Sequence, residues 1–231
     1  MIGNFLVVLA AKFSYIGRLI LILTFFSCNG MAQESNGILF DFFTKLEQSE
    51  RKINTIKAEF VQTIFFESTG EKQKIVGTVF LKKPRSIRIT QITPYQDQEQ
   101  RIYIDGKTIT IYTPNERQVI IDTWKNSIDR DFSLGYIVNF GSSWREMKKT
   151  NNITLNGYDD NRVIIEIQSL KNKSFNAKIY ITKTNMLPDK AVINCEGTKI
   201  EVVFKNYIVN PELAIGTFNF KAPNNVEIIK L

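Results

Sequence analysis

Asp159 and Asp160 are adjacent carboxylates that could serve as an acid and a base. They fall in Gly157-Tyr158-Asp159-Asp160-Asn161, a composition that reads as a hairpin turn. Aspartates in such turns hydrogen-bond their own backbone and are not free for a substrate. Beyond that pair the chemistry is sparse. The 231 residues contain no histidine and two cysteines. That excludes Ser-His-Asp and Cys-His catalysis, histidine general bases, and zinc sites that need imidazole or a Cys-rich set. Neither G-x-x-x-x-G-K nor G-x-G-x-x-G occurs, so no phosphate loop is present. The expectation is a protein that is not an enzyme and uses no cofactor and no metal.

Two groups of residues point to binding. Lys82-Lys83-Pro84-Arg85 with Arg88 is the densest basic cluster, read either as a solvated strand end or as a contact for a partner or anionic head groups. Nucleic acid is not expected, since no DNA- or RNA-binding motif accompanies the charge. Phe60, Phe65, Phe80, Phe204, Phe218 and Phe220 fall on alternating apolar runs. They suit a packed core and a lipid cavity equally well, and composition does not separate the two.

The elements that must position these residues follow from periodicity. Lys12 and Arg18 precede the apolar run 19–26, which is too short to span a bilayer. Small residues at Gly30 and Ala32 complete the pattern of a secretory signal over 1–32, cleaved after Ala32. Cleavage lowers the formal charge from +7 to +5. Phe25-Phe26-Ser27-Cys28 offers an alternative, a lipobox-like site that would be acylated at Cys28. Residues 33–231 read as a single domain. It opens with an amphipathic helix carrying Ile38, Leu39, Phe42, Phe43 and Leu46. After Asn54 the period changes to two, and short runs follow at strand spacing to the end of the chain, including Phe218–Phe220 and Val226–Ile229. Asp105-Gly106 marks a hairpin. One helical stretch, Asp131–Phe140, interrupts the series with Phe132, Tyr136, Ile137 and Phe140 on one face. Cys195 reads as a buried strand cysteine. The fold expected is mainly β, an antiparallel barrel or sandwich of about ten strands.

The order of motifs resembles the LolA family of periplasmic lipoprotein carriers. The resemblance rests on Ala58-Glu59-Phe60-Val61-Gln62, then Gly77-Thr78-Val79-Phe80-Leu81-Lys82-Lys83-Pro84-Arg85-Ser86-Ile87-Arg88. Asp105-Gly106-Lys107-Thr108, Tyr112-Thr113-Pro114, Gln118-Val119 and Trp144 follow, and Phe218-Asn219-Phe220-Lys221-Ala222-Pro223 closes it. It implies an incomplete antiparallel barrel of about ten to eleven strands, with helices covering the open side as a lid. It also implies a monomer that takes acylated lipoproteins from an inner-membrane ABC transporter of the LolCDE type and passes them to an outer-membrane receptor of the LolB type. Phe60, Phe80, Ile89, Phe132, Tyr136, Phe204 and Phe218 then become the residues that would line the acyl-chain cavity. Lys83, Arg85, Ile87 and Arg88 become those that would hold the lid or meet a partner. Lys83 stands where the family has arginine, and it lacks arginine's planar fork. The alternatives are a receptor of the LolB type, should Cys28 be acylated, or a lipid-sensing periplasmic regulator.

Overall fold

Alternating burial from Thr55 onward makes each apolar run a strand, because successive side chains of a strand point to opposite faces. The computed structural model describes residues 41–94, 97–124 and 144–231, without the side chains of 145 and 146, and 43–231 belong to one compact unit. Residues 43–51 are helical (α1), and Trp144–Thr150 form a second helix (α2). The strands are β1 (Thr55–Phe66), β2 (Lys72–Lys82), β3 (Ser86–Thr93), β4 (Gln98–Ile104), β5 (Thr108–Thr113), β6 (Gln118–Thr123), β7 (Asn151–Tyr158), β8 (Arg162–Ser169), β9 (Asn176–Thr182), β10 (Pro188–Cys195), β11 (Thr198–Val209) and β12 (Glu227–Lys230).

All twelve join one sheet in the order β12-β6-β5-β4-β3-β2-β1-β11-β10-β9-β8-β7. β12 and β7 are its edges, so the sheet is open. Sequential hairpins build two meanders, β1–β6 and β7–β11, and the pairing of β1 with β11 joins them. Among the described residues every neighbouring pair is antiparallel except β12 with β6. Among the described residues the strands number twelve, against the ten to eleven expected. Phe218–Phe220 is not one of the strands: residues 215–218 form turns, and the chain re-enters the sheet at Glu227.

Local chemistry sets the hairpins. Asp105 Oδ1 accepts from the backbone N–H of Lys107 and of Thr108, both at 2.8 Å, and Oδ2 accepts from the Thr108 hydroxyl at 2.9 Å. Burial by itself would raise this carboxyl, but those donors outweigh it and hold the group below its ordinary value. Gly106 follows at φ 87°, a conformation that needs no Cβ. Asp159 works the same way, its Oδ1 accepting from Asn161 N–H at 2.8 Å and Arg162 N–H at 2.7 Å. Those two bonds lower its pKa, and the carboxylate is committed to the turn.

Register collects the apolar residues on one face. Ala58 lies opposite Val79, Val79 opposite Ile89, and Ile89 opposite Ile102. In the other direction Gln62 is paired with Val202, Val202 with Ala191, Ala191 with Ile179, and Ile179 with Ile165. Directly opposed residues share a face, so one inner layer runs across the sheet, and all of these residues are buried. A sheet buried on the same side in strand after strand must have that side covered, by its own curvature or by other elements packed on it. Cys195 shares the parity of Ile193, yet it is half-buried because it ends β10 at the Glu196-Gly197 turn.

Candidate functional site: the inner face and its rim

Phe60 shows how tightly the inner layer is built. Its side chain is 2% exposed, and its ring lies over Gly77 on the neighbouring strand. A Cβ on Gly77 would meet the Thr90 carbonyl oxygen at 2.5 Å and the Phe60 ring at 2.7 Å. Glycine is therefore required by close approach, and its empty place is filled by an aromatic ring. Toward the rim, Ile56, Ala58, Val79, Leu81, Leu187 and Phe204 enclose a cavity of about 50 Å³ with Pro188 and Tyr207. The Tyr207 hydroxyl donates to the Pro188 carbonyl at 2.6 Å, and burial raises its pKa far above the ordinary phenol value.

At the rim, Lys83 connects α1 to the β2–β3 turn. Its backbone N–H donates to the Asn54 carbonyl at 2.9 Å. Its Nζ donates to the backbone carbonyl of Glu50, in the last turn of α1, and lies 3.9 Å from the Glu50 carboxylate. A cation at a helix C-terminus also complements the helix dipole. The Glu50 carboxylate in turn accepts from the backbone N–H of Trp144, which opens α2. Burial raises this carboxyl above its usual value, and Lys83 and the Trp144 N–H offset that only in part. Asn210, at the end of β11, completes the junction. Its Oδ1 accepts from Asn54 N–H at 2.7 Å, and its Nδ2 donates to the Lys52 carbonyl at 2.9 Å. The two helices meet through Phe43 and Trp144, with ring centroids 5.9 Å apart and planes inclined at 61°.

The expected site residues separate by parity. Phe60, Ile89 and Phe204 lie on the inner face. Phe80 does not, because it pairs with Arg88 and with Lys57, both on the outer face. The Lys57 ammonium and the Arg88 guanidinium lie 5.6 and 5.8 Å from its ring centroid. Phe218 sits in the 215–218 turns, off the sheet. Phe132, Tyr136 and Cys28 lie outside the described residues. Among the basic cluster, Lys83 is the side chain that reaches a helix. Arg85 is exposed and packs its stem over Gly106, and a Cβ there would come within 2.7 Å of it. Ile87 is 2% exposed on the inner face, which makes it a core residue and no surface contact. Arg88 is stacked between Phe80 and Tyr103, 5.6 Å from the latter's centroid, with its Nε buried and unbonded. One odd-numbered step separates core from surface here, and a basic run in the sequence conceals it.

The outer face has its own depression of about 500 Å³, between Arg101, Tyr103 and Tyr112 on the sheet and residues 215–223 of the C-terminal segment. Phe220 packs there, its ring 5.2 Å from Tyr103 and 5.6 Å from Tyr112. Arg101 is paired with Glu99 at 2.5 Å. The sequence signals for this packing were the alternating Arg101-Tyr103 and the terminal Phe220, which look like ordinary strand residues until the register is known.

An open, largely antiparallel sheet that encloses an aliphatic interior, with a polar junction at its rim, defines a half-barrel built to bury apolar groups. Among the described residues no cluster of acidic or thiol side chains could hold a metal. The family model "Outer membrane lipoprotein carrier protein LolA" matches residues 51–221, and the chain belongs to that family. An outer-membrane lipoprotein carrier protein of Haemophilus influenzae strain PittEE is 29% identical over 195 residues, covering 84% of this chain and 89% of its own. One from Pasteurella multocida is 27% identical over 194 residues, covering 81% and 86%. The fold is shared with an uncharacterized conserved protein of Thermus thermophilus, at TM-score 0.53 and 12% identity over 84% of this chain and 99% of that one.

Proposed function

We propose that residues 33–231 act as a periplasmic carrier. It receives acylated lipoproteins from an inner-membrane ABC transporter, encloses their acyl chains against the inner face, and delivers them to a receptor at the outer membrane. The observation that carries this reading is the apolar inner layer, continuous across both meanders, joined to curated relatives named for lipoprotein carriage. An acyl chain gains about 0.8 kcal/mol per buried CH₂, so a multiply acylated cargo needs a sheath to cross water. The rim cavity of about 50 Å³ is far below the ~300–1,000 Å³ of a small-molecule site. Loading therefore requires the elements over the inner face to part, and the Lys83–Glu50 junction is the fastening that yields. Part of the burial energy is spent on that opening, which keeps affinity moderate enough for release.

The test is release from spheroplasts. Newly made lipoproteins should become soluble in a stable complex with the added protein. If cargo stays membrane-bound beside a working control carrier, the proposal fails.

A further inference from the structure

The outer depression of about 500 Å³ has an apolar point on its lip. Ile215, in the C-terminal segment that lines it, is 101% exposed, as open as in an extended chain. Single exposed apolar side chains are ordinary on protein surfaces. This one shares its depression with Lys221, Arg101 and the rings of Tyr103, Tyr112 and Phe220. The charge beside it is one-sided. The outer face of β1–β4 carries Lys57, Lys72, Lys74, Lys82, Arg88 and Arg101 against Glu59 and Glu99. Glu99 pairs with Arg101, and Glu59 accepts from the Asn206 amide. Among the described residues the other five cations, and Lys221, have no acidic partner. Arg88 lies stacked between Phe80 and Tyr103 with its Nε buried and unbonded.

Cations interleaved with tyrosines around a projecting aliphatic side chain suit the boundary layer of a bilayer. Lysine and arginine gain from the surface potential of an anionic leaflet. Tyrosine rings settle at head-group depth, and an aliphatic side chain gains by leaving water. A protein partner would need a preformed hole for Ile215, whereas lipid yields around it. We infer that the outer depression and its lip are a membrane-docking surface. Ile215 enters the head-group region of an anionic leaflet, Lys221 meets lipid phosphates, and the cations of β1–β4 add their attraction. The contact is shallow and reversible, because one aliphatic side chain and a few cations fall short of the double anchor that holds a protein on a bilayer. This surface lies across the sheet from the apolar inner layer. Docking therefore leaves the inner face free, and failure of the inference leaves the carrier reading standing.

The experiment sediments the purified protein with vesicles of phosphatidylcholine alone, and with vesicles of phosphatidylcholine and phosphatidylglycerol in equal parts. The protein should travel with the anionic vesicles and stay in solution with the neutral ones, and added salt should release it. Lys221→Ala should weaken binding about fivefold, the effect of one cation at a charged surface. Ile215→Ser should weaken it about three- to tenfold, as an aliphatic side chain returns to water. Both positions are exposed, so both variants should melt with the wild type. Lys171→Ala, in the connection after β8, should bind as the wild type does. Sedimentation with neither vesicle, or with both alike, overturns the inference. So does wild-type binding by Ile215→Ser or by Lys221→Ala. A loss in Lys171→Ala equal to that in Lys221→Ala overturns it too, since net charge alone would then account for the binding. Binding of poly-glutamate that falls in Ile215→Ser assigns the surface to an acidic protein and overturns it as well.

Discussion

The two faces of β3 and β4 have opposite fates although they share every residue of backbone. Ile87, Ile89, Ile102 and Ile104 on one side are all buried. Arg88, Arg101 and Tyr103 on the other make cation–π contacts and meet the C-terminal segment through Phe220. The inner face is held by volume, and the outer face by adaptable pairs of cations and rings. Shape errors should therefore be punished on one side and absorbed on the other.

The widest gap should separate two phenylalanines. Phe60→Ala is expected to cost about 3–5 kcal/mol, as for other fully buried aromatics. Phe80→Ala, half-buried beneath Lys57 and Arg88, should cost about 1 kcal/mol. Urea denaturation of both variants measures the difference, and equal losses would break the comparison. Next in size is Gly77→Ala, at about 1–3 kcal/mol, because its methyl group must displace the Phe60 ring or the Thr90 carbonyl. Combined with Phe60→Ala the penalty should fall only in part below additivity, since the ring is gone but the Thr90 carbonyl at 2.5 Å remains.

Smaller effects belong to the rim. Lys83→Ala should speed amide exchange in α1 several-fold while changing global stability by no more than about 1 kcal/mol, for an exposed-edge pair. Lys83→Arg should restore protection, and Arg88→Ala should leave α1 exchange as in the wild type. The weakest signal is pH. The folded state raises the Glu50 carboxyl through burial, so it favours the protonated form. The stability this contributes is complete below the unfolded value of 4.5 and is lost as pH rises through the higher folded one. Exchange in α1 should therefore quicken from acid toward neutral pH, beyond the intrinsic base catalysis of exchange, and Glu50→Gln should flatten that excess.

Hairpins were legible from residues alone, because Asp105 and Asp159 carry their turn chemistry in their own side chains. So was Phe60, whose neighbours alternate cleanly. Phe80 was misplaced because Val79-Phe80-Leu81 is three apolar residues in a row, so parity is ambiguous until a partner strand sets it. Phe218 looked like a strand residue because two phenylalanines at i and i+2 mimic alternation. The parallel pairing of β12 with β6 links positions 109 apart, and local pattern holds no trace of it.

The seam between β1 and β11 has a kinetic consequence. Each meander can zip from local hairpins, but Gln62 meets Val202 only after some 140 intervening residues have been made. A chain emerging from its N-terminus thus holds β1 with one unpaired edge and an exposed apolar face until nearly the last strand appears. Non-local closures of this kind are slow, and bare edges invite association with other chains. The lysines at positions 57, 72 and 74, on β1 and its partner β2, place positive charge on that waiting sheet, and they would keep newly made copies apart during the interval before the seam closes.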